Sequence, residues 1–500
     1  MKTKRLSINL ITSFACKIIS LLFSFVVRKL IIQYLGKEYL GLNSLFTDLL
    51  SFLNLADLGL GVVIQTCLYA HLVNSNEERI RGILNFTNKL FKSIALLVIV
   101  VGALLLPFIN IFVKDSTFDI NFLRIVFYIE VLGIAITYMA TSEQILLEVE
   151  EKKYILNFIE LGALILSFTI RILAVVYWKN YYIYACAILV KNLLTIAIVT
   201  IISRKKYSNL FSRDKINEED KKYIKKNLFD LIPMRLANFL YSSTDSVIIS
   251  SLIGISVLAV FSNYNLIFVS VLSFILISVE IIKIPFGKMF EEKNPNIEKY
   301  MFSYFLFQFF LSSICALCLL NLTDDFITLF FGEGLLLEKY ILIIFVVDFF
   351  IHSIYQPFSM VILSKGLFKT EKWITLIVEG VNVVVSIVLV LWIGVGGAII
   401  GTLLSNTISL FIRIHRVGFK FFEQKKRLVI LFVSFFVLVS LEGCLSYYLV
   451  SSFSVSYLNL FIKLLISVSV PTVINLLIFF KTKEFKVIKN KALSLIKRNS

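Results

Sequence analysis

Two positively charged side chains lie inside the first apolar stretch of the chain. Lys17 and Arg28 are 11 residues apart, close to three turns of an α-helix, so they share one face. Polar side chains fill that face at spacings of three or four, and the complete stripe is Asn9, Ser13, Lys17, Ser20, Ser24 and Arg28. Lys and Arg bind anions such as phosphate, and Arg can do so with a bidentate fork. The stripe predicts a helix face that lines a watery cavity or packs against another helix.

Composition indicates that this stretch crosses a membrane. Of the 500 residues, 58% are hydrophobic, against about 45–50% in an average soluble protein. Apolar runs of about twenty residues recur along the whole chain, each long enough to span a bilayer. At that depth a charge costs about 2.5–3.5 kcal/mol, so the stripe should avoid lipid. We predict an all-α, polytopic membrane protein.

The net charge of +17 does not indicate nucleic-acid binding, because the basic residues flank apolar runs instead of forming a soluble basic domain. The six cysteines all fall inside predicted spans. Cys315 and Cys318 form a C-x-x-C, but no second pair accompanies them and the chain has only three histidines. We therefore predict no metal site and no cofactor, and treat the opening basic and apolar segment as a permanent span instead of a signal peptide.

Hydropathy predicts fourteen spans. They cover residues 8–33, 41–72, 91–113, 121–147, 154–177, 182–202, 228–253, 257–286, 300–321, 339–363, 373–393, 395–412, 428–450 and 456–480. With this count, the segments on the side of the two termini hold 37 of the 50 Lys and Arg, and the opposite loops hold four. The positive-inside rule then places both termini in the cytoplasm, and we expect a bacterial inner membrane.

The spans fall into two sets of six and one further pair. We predict an N-terminal lobe at residues 1–202, a charged cytoplasmic linker at 203–227, a C-terminal lobe at 228–412, an extra helix pair at 413–480 and a basic cytoplasmic tail at 481–500. The linker charges are typical of solvated orientation signals, and the tail could lie on anionic lipid.

The two lobes match each other at a nearly constant offset. At 218 residues, QYLGKEYLGL (33–42) aligns with SLIGISVLAV (251–260), and PFINIF (107–112) with DFITLF (325–330). At 219, EKKYILNFIE (151–160) aligns with TEKWITLIVE (370–379). Since each half has six spans, both copies point the same way, as in a parallel repeat.

The repeat gives the stripe a partner on span 7. At the offset of 218, Lys17 maps to Arg235, Ser20 to Asn238 and Ser24 to Ser242. Arg28 maps to Ser246, beside Asp245, and so has no cationic twin. A second stripe follows span 5 with Glu160, Ser167 and Arg171, and span 2 carries Asn43, Thr47, Asn54, Asp57 and Gln65 near helical spacing.

Several motifs together resemble a known family. They are YLGKEYLGL (34–42), LADLGLG (55–61), TDSVIIS (244–250) and the PFINIF and DFITLF pair. They resemble the polysaccharide-transporter branch of the multidrug/oligosaccharidyl-lipid/polysaccharide exporter superfamily, which includes O-antigen and capsule repeat-unit flippases. The resemblance implies two six-helix lobes, a cavity lined by spans 1, 2, 7 and 8, and alternating access. Spans 13 and 14 are similar to the extra pair of the lipid-linked peptidoglycan-precursor flippase, where they form a groove for a prenyl tail; here they carry Glu442 and Lys463.

On this resemblance, the substrate is a polyprenyl-pyrophosphate-linked oligosaccharide moved to the outer leaflet. The candidate binding residues are Lys17, Ser20, Ser24, Arg28, Arg171, Lys191, Arg235, Asn238, Ser242, Asp245 and Lys283. We expect Lys17 and Arg235 to share the pyrophosphate. The alternative is that each cation neutralises a membrane carboxylate such as Asp57, Glu130, Asp245 or Asp348. The membrane potential could drive the flip, and Asp57 or Asp245 could otherwise bind a proton or sodium ion.

Two other functions remain open. A drug or toxin antiporter of the same superfamily should favour an acidic cavity and commonly has twelve spans. A membrane glycan polymerase or ligase would need a long outer loop with catalytic residues, and the longest outer segment, 322–338, has no histidine. No nucleotide-binding loop occurs in the sequence, so we do not expect direct use of ATP. We expect a transporter and not an enzyme. Expected partners are membrane lipids and the polymerase and glycosyltransferases of the same pathway.

Overall fold

The computed structural model describes residues 2–53, 60–74, 76–211, 214–365 and 367–490, which are helical almost throughout. The helices of the first half are α1 (Lys2–Tyr34), α2 (Lys37–Leu53), α3 (Leu60–Val73), α4 (Glu77–Leu105), α5 (Ile109–Phe112), α6 (Ile120–Thr137), α7 (Thr141–Val149), α8 (Lys153–Val176), α9 (Tyr181–Lys206) and α10 (Glu218–Leu252). Those of the second half are α11 (Ile255–Glu291), α12 (Ile297–Phe331), α13 (Lys339–Ser364), α14 (Phe368–Ile393), α15 (Val395–Arg413), α16 (Phe419–Phe421), α17 (Lys425–Val450) and α18 (Tyr457–Phe479).

The prediction of an all-α, multi-pass membrane protein is confirmed. Within the described ranges no β-strand occurs, and eleven helical segments are long and apolar enough to cross a membrane. These eleven lie at predicted spans 3–6 and 8–14. Helix α1, the pair α2 and α3, and α10 lie at predicted spans 1, 2 and 7. The count of fourteen spans stays a prediction.

Local capping explains where many helices begin. Asn76, Asp119, Asn180 and Asn217 each accept a hydrogen bond from a backbone N–H in the first turn of the helix that follows. These bonds satisfy donors that have no partner within the helix. Asn217 is followed by Glu218, Glu219 and Asp220. Their negative charges stabilise α10 by interacting with the positive end of its helix dipole.

The turns at Gly36 and Gly254 reproduce the repeat in three dimensions. Helix α1 ends at Tyr34 and α10 at Leu252, which is the offset of 218 found in the sequence. Both glycines have positive φ, +106° at Gly36 and +148° at Gly254. In each turn the glycine N–H donates to a carbonyl five residues earlier, Ile31 at 2.9 Å and Ile249 at 3.0 Å. The alignment therefore marks two matching helix ends, in which only glycine avoids strain.

The chain divides by contacts into two compact units, Met1–Ala259 and Val260–Ser500. Helix α10 belongs to the first unit, where it packs against α2 and α3. Lys114 and Thr117 each form a hydrogen bond beside one of the two repeat turns. The Lys114 ammonium donates to the Leu252 carbonyl, before Gly254, at 2.7 Å. The Thr117 hydroxyl donates to the Glu38 carboxylate, after Gly36, at 3.1 Å. The domain boundaries drawn from hydropathy stay predictions.

In the second unit, α17 and α18 pack against α12 through a polar seam. Asn321 on α12 donates to Ser446 at 3.2 Å and to Ser467 at 2.9 Å. The Lys463 ammonium lies 2.6 Å from the Asp325 carboxylate, and both side chains are buried. Glu442 is also buried, and within the described part of the chain its carboxylate oxygens have no hydrogen-bond partner. The extra pair is therefore joined to α12 by polar contacts as well as apolar ones.

Replacing Gly36 by alanine is expected to lower the free energy of unfolding by about 1–2 kcal/mol. An added Cβ would meet no atom within 4 Å, so only the positive φ is penalised. The melting temperature of the purified protein in detergent measures the effect. Gly162→Ala is the matched control, because that site is equally open but helical and should be neutral or slightly stabilised. Equal melting temperatures for the two variants would contradict the strain.

Candidate functional site

The polar stripe of α1 divides into two parts. Its first part packs against the start of α8: the Asn9 amide donates to the Glu151 carbonyl at 3.2 Å and accepts from the Tyr154 N–H at 2.7 Å. The Asn157 amide donates to Ser13 at 2.9 Å. Asn9 and Ser13 therefore join two helices, which is the packing alternative left open by the sequence.

The middle of the stripe is more accessible. Ser24 donates to the Ser20 carbonyl at 2.8 Å within the helix, and both serines are half-buried. Lys17 is exposed and forms no ion pair with any side chain that the structure describes. Its ammonium therefore remains accessible to an anion.

Arg28 lies beside a polar column between α2 and α10. Its guanidinium donates to Ser44 at 3.5 Å and lies within electrostatic range of Asp48. Asp48 in turn accepts a hydrogen bond from Ser246 on α10. One turn along, the hydroxyls of Ser51 and Ser243 lie 2.6 Å apart. The position that the repeat pairs with Arg28 thus joins the same network through Asp48.

A second charged cluster surrounds Tyr184 on α9. Arg171 packs over the Tyr184 ring at 4.7 Å from its centroid, and the Tyr184 hydroxyl donates to Asn43 at 3.1 Å. Glu130 is buried and interacts electrostatically with Arg171. Tyr184 is also within electrostatic range of Arg28, so it links the two charged clusters. The two clusters together contain two guanidinium groups, from Arg28 and Arg171, and two carboxyl groups, from Asp48 and Glu130.

The other predicted residues are dispersed. Lys191 on α9 interacts electrostatically with Glu160 on α8. Lys283 is half-buried on α11 in the second unit, where its carbonyl accepts from Ser364 at 3.1 Å. Asp245 is half-buried on α10. The side chains of Arg235, Asn238 and Ser242, and the whole of Asp57, lie outside the described residues.

Sequence reasoning did not select Asp48 or Tyr184. Ser44, Asp48 and Ser51 follow each other at spacings of four and three, the same pattern that marked α1, so this signal was available. The position of Tyr184 between two arginines had no such signal, because it depends on how α9 packs against α2 and α8.

Two surface cavities lie apart from these clusters. One, of about 730 Å³, is lined by Trp373, Ile374, Ile377, Phe411, Ile412, His415 and Arg416. The other, of about 570 Å³, lies beside the Gly36 turn and is lined by Leu35, Gly36, Lys37, Glu38, Tyr39, Thr117, Phe118, Asp119 and Phe122. Neither contains a residue of the predicted site.

The chemistry of the first unit is that of binding. Its polar groups are cations, carboxylates, hydroxyls and amides, which suit phosphate and sugar recognition. Arg28 and Arg171 each have a carboxylate in electrostatic range, whereas Lys17 forms no ion pair within the described part of the chain. Of the predicted cations whose side chains are described, Lys17 is therefore the most available to a substrate anion.

A family model for polysaccharide biosynthesis proteins matches residues 7–286. The chain belongs to the polysaccharide biosynthesis protein family. The match covers more than half of the chain, including the α1 stripe and the α2–α10 column, and it confirms the resemblance drawn from the sequence motifs. No curated protein sequence matches the chain.

Two solved structures have a fold similar to that of this family member. It resembles "Lipid II flippase MurJ, inward closed conformation" with a TM-score of 0.70, 16% identity, and coverage of 94% of this chain and 98% of that one. It also resembles an inward-facing multidrug resistance MATE family transporter of the MOP superfamily, with a TM-score of 0.59, 14% identity, and coverage of 82% and 97%. At these identities the likeness shows the fold alone.

Replacing Arg171 by methionine is expected to destabilise this family member by about 1–3 kcal/mol, because Glu130 stays buried without its counter-charge. Glu130→Gln on the Arg171→Met background should restore most of that loss. A double-mutant cycle on melting temperatures in detergent measures the coupling. Strictly additive effects would instead show that Glu130 does not hold Arg171 in place.

Proposed function

We propose that this protein is a flippase that moves a polyprenyl-pyrophosphate-linked oligosaccharide across the membrane for surface polysaccharide synthesis, such as capsule or O-antigen. The observation that carries the proposal is the extent of the structural match. The lipid II flippase aligns with 94% of the chain and the multidrug transporter with 82%. The difference of about 60 of the 500 residues is comparable in length to the extra pair at 413–480.

The exposed Lys17 supports an anionic substrate. A pyrophosphate carries charge that a lysine ammonium can neutralise, and a charge-assisted hydrogen bond is roughly twice as strong as a neutral one. The repeat pairs Lys17 with Arg235, and we propose that the two cations share the pyrophosphate. Ser20 and Ser24 would offer hydroxyl and carbonyl groups to the sugar. Arg28, held near Asp48, would meet the substrate closer to the outer mouth.

The excess of basic residues on one side supports an orientation with both termini in the cytoplasm of a bacterial cell. A dianionic headgroup that moves outward down an inside-negative potential gains about 4–5 kcal/mol per 100 mV. We propose that this potential biases the flip. Asp57 and Asp245 are the candidate proton or sodium sites if the potential does not suffice.

The fold shared with a multidrug resistance transporter keeps a cation-coupled drug antiporter as the second candidate. The two functions need opposite charges in the cavity, since a cationic drug would be repelled by Lys17 and an anionic pyrophosphate attracted. Transport of a cationic dye such as ethidium, tested beside a lipid pyrophosphate, separates them. A glycan polymerase or ligase has no supporting observation of its own.

Replacing Lys17 by glutamine is expected to slow flipping of a polyprenyl-pyrophosphate-linked oligosaccharide about tenfold or more, because a charge-assisted contact is lost. The rate is measured in proteoliposomes with a substrate whose outer-leaflet fraction is accessible to an added lectin. Lys17→Arg should retain most of the rate. Lys92→Gln is the matched control, since Lys92 is another exposed lysine without an ion pair in the described part. A Lys17→Gln rate equal to that of Lys92→Gln would refute the phosphate role.

An imposed membrane potential tests the driving force. In proteoliposomes with a potassium gradient, valinomycin sets a membrane potential. We expect this potential to accelerate movement of the dianionic substrate when the compartment it leaves is negative, and to slow that movement when the sign of the potential is reversed. A neutral lipid-linked sugar should respond to neither. Flipping that persists unchanged at zero and at reversed potential would argue for coupling to an ion instead.

A further inference from the structure

Three side chains with metal-binding atoms converge where α3 ends and α10 begins. Cys67 and His71 are four residues apart on α3 and therefore share one face. Asp220 lies in the first turn of α10 and meets them from the facing helix. One ligand atom from each residue, the sulfur, a ring nitrogen and a carboxylate oxygen, lies within 4.8 Å of the other two.

The distances join these residues closely. His71 Nε2 lies 2.9 Å from Asp220 Oδ1, and Cys67 Sγ lies 3.9 Å from the same oxygen. Cys67 is 4% exposed and Asp220 is 5% exposed, while the side chain of His71 retains 13%. Cys67 and Asp220 are thus shielded from bulk water, and a metal ion would reach the cluster from the side of His71.

A second observation points to a ligand. The other Asp220 oxygen, Oδ2, is buried and has no hydrogen-bond partner in the described part of the chain. A buried carboxylate oxygen without a partner is costly, and such atoms call for a bound ion or water. Asp220 therefore keeps one unused buried acceptor oxygen, while its other oxygen makes the contacts with His71 and Cys67.

The donor set selects the metal. One thiolate, one imidazole and one carboxylate are ligands of zinc, whereas calcium and magnesium prefer oxygen ligands alone. Tetrahedral zinc holds its donors about 3.3–3.8 Å apart, given bond lengths of about 2.0–2.3 Å. The present separations bracket that range, so small side-chain shifts would suffice. Three protein ligands leave a fourth position for water.

The surrounding charges permit a dication. The Arg79 guanidinium lies 3.6 Å from Asp220 Oδ1, and its positive charge would repel a bound metal ion. However, the guanidinium also forms a 2.7 Å ion pair with Glu219, which offsets its charge. The thiolate and the carboxylate together balance zinc. Arg79 would then orient Asp220 from outside the metal, as second-shell partners do.

Although the sequence alone predicted no metal site, we propose that Cys67, His71 and Asp220 form a Zn²⁺ site that ties the end of α3 to the start of α10. The site lies next to the charged segment that follows α9, on the side predicted to be cytoplasmic, so cytosolic metal would reach it. Bound zinc would hold the two helix ends together at a point where one hydrogen bond and one weak thiol contact now join them. The proposal does not depend on what the protein transports.

Metal binding to the full-length protein in detergent tests the site. After chelator treatment, we expect one Zn²⁺ per chain with micromolar or tighter affinity, measured by competition with a chromophoric chelator. Co²⁺ in its place should give a thiolate-to-metal charge-transfer absorption. Zinc should also raise the melting temperature, because it binds the folded state.

Variants separate this site from adventitious binding. Cys67→Ser and His71→Ala should each weaken zinc binding about 100-fold or more, beyond the loss seen for outer-shell partners. His71→Cys should keep zinc, which shows that a folded variant binds when a ligand is restored. The matched control is the double variant Cys444→Ser, His415→Gln, which removes an exposed cysteine and an exposed histidine elsewhere and should bind as the wild type does.

Two results would overturn the proposal. One is the absence of stoichiometric zinc in the wild type at micromolar metal, which would leave a simple hydrogen bond between His71 and Asp220. The other is equal affinity in the wild type, Cys67→Ser and the control, together with a Co²⁺ spectrum that lacks the thiolate band. In that case any bound metal lies at another site.

Discussion

The cost of an unpaired charge in hydrocarbon shapes both units of this protein. Arg28 lies near Asp48, Arg171 near Glu130, and Lys463 contacts Asp325 directly. At the end of α15, Arg413 forms a bidentate pair with Glu371, with both bonds at 2.8 Å. Each pair joins two helices, because a single helix cannot bury a charge by itself. Helix packing here is therefore arranged around polar contacts as much as around apolar surface.

This constraint separates structural cations from those available to a substrate. A guanidinium whose charge is offset by a nearby carboxylate contributes hydrogen bonds and position, and its removal is expected to affect stability first. Lys17 differs, since it is exposed and makes no ion pair within the described ranges. Any site that binds an anion needs such a cation, because binding energy is available only from charges that the protein has not already neutralised.

The sequence predicted helix positions and ends well, and helix partners poorly. The spans could be located because hydropathy acts locally, and the aligned segments 33–42 and 251–260 contain the turns at Gly36 and Gly254. The stripe on α1 was also real, but periodicity defines only a face and not what lies opposite it. Asn9 and Ser13 proved to face α8. Tyr184 became central only through packing of helices distant in sequence, which periodicity does not encode.

The polar seam between α12, α17 and α18 has a mechanical consequence. Asn321 grips Ser446 and Ser467 at once, and Asn475 donates to Ser313 at 3.1 Å about two turns away. These two sets of hydrogen bonds along one interface oppose sliding of the helices by a turn and also oppose their separation to admit an acyl chain. Either motion would leave several polar groups without partners in hydrocarbon. We therefore expect the three helices to move together as a single rigid unit.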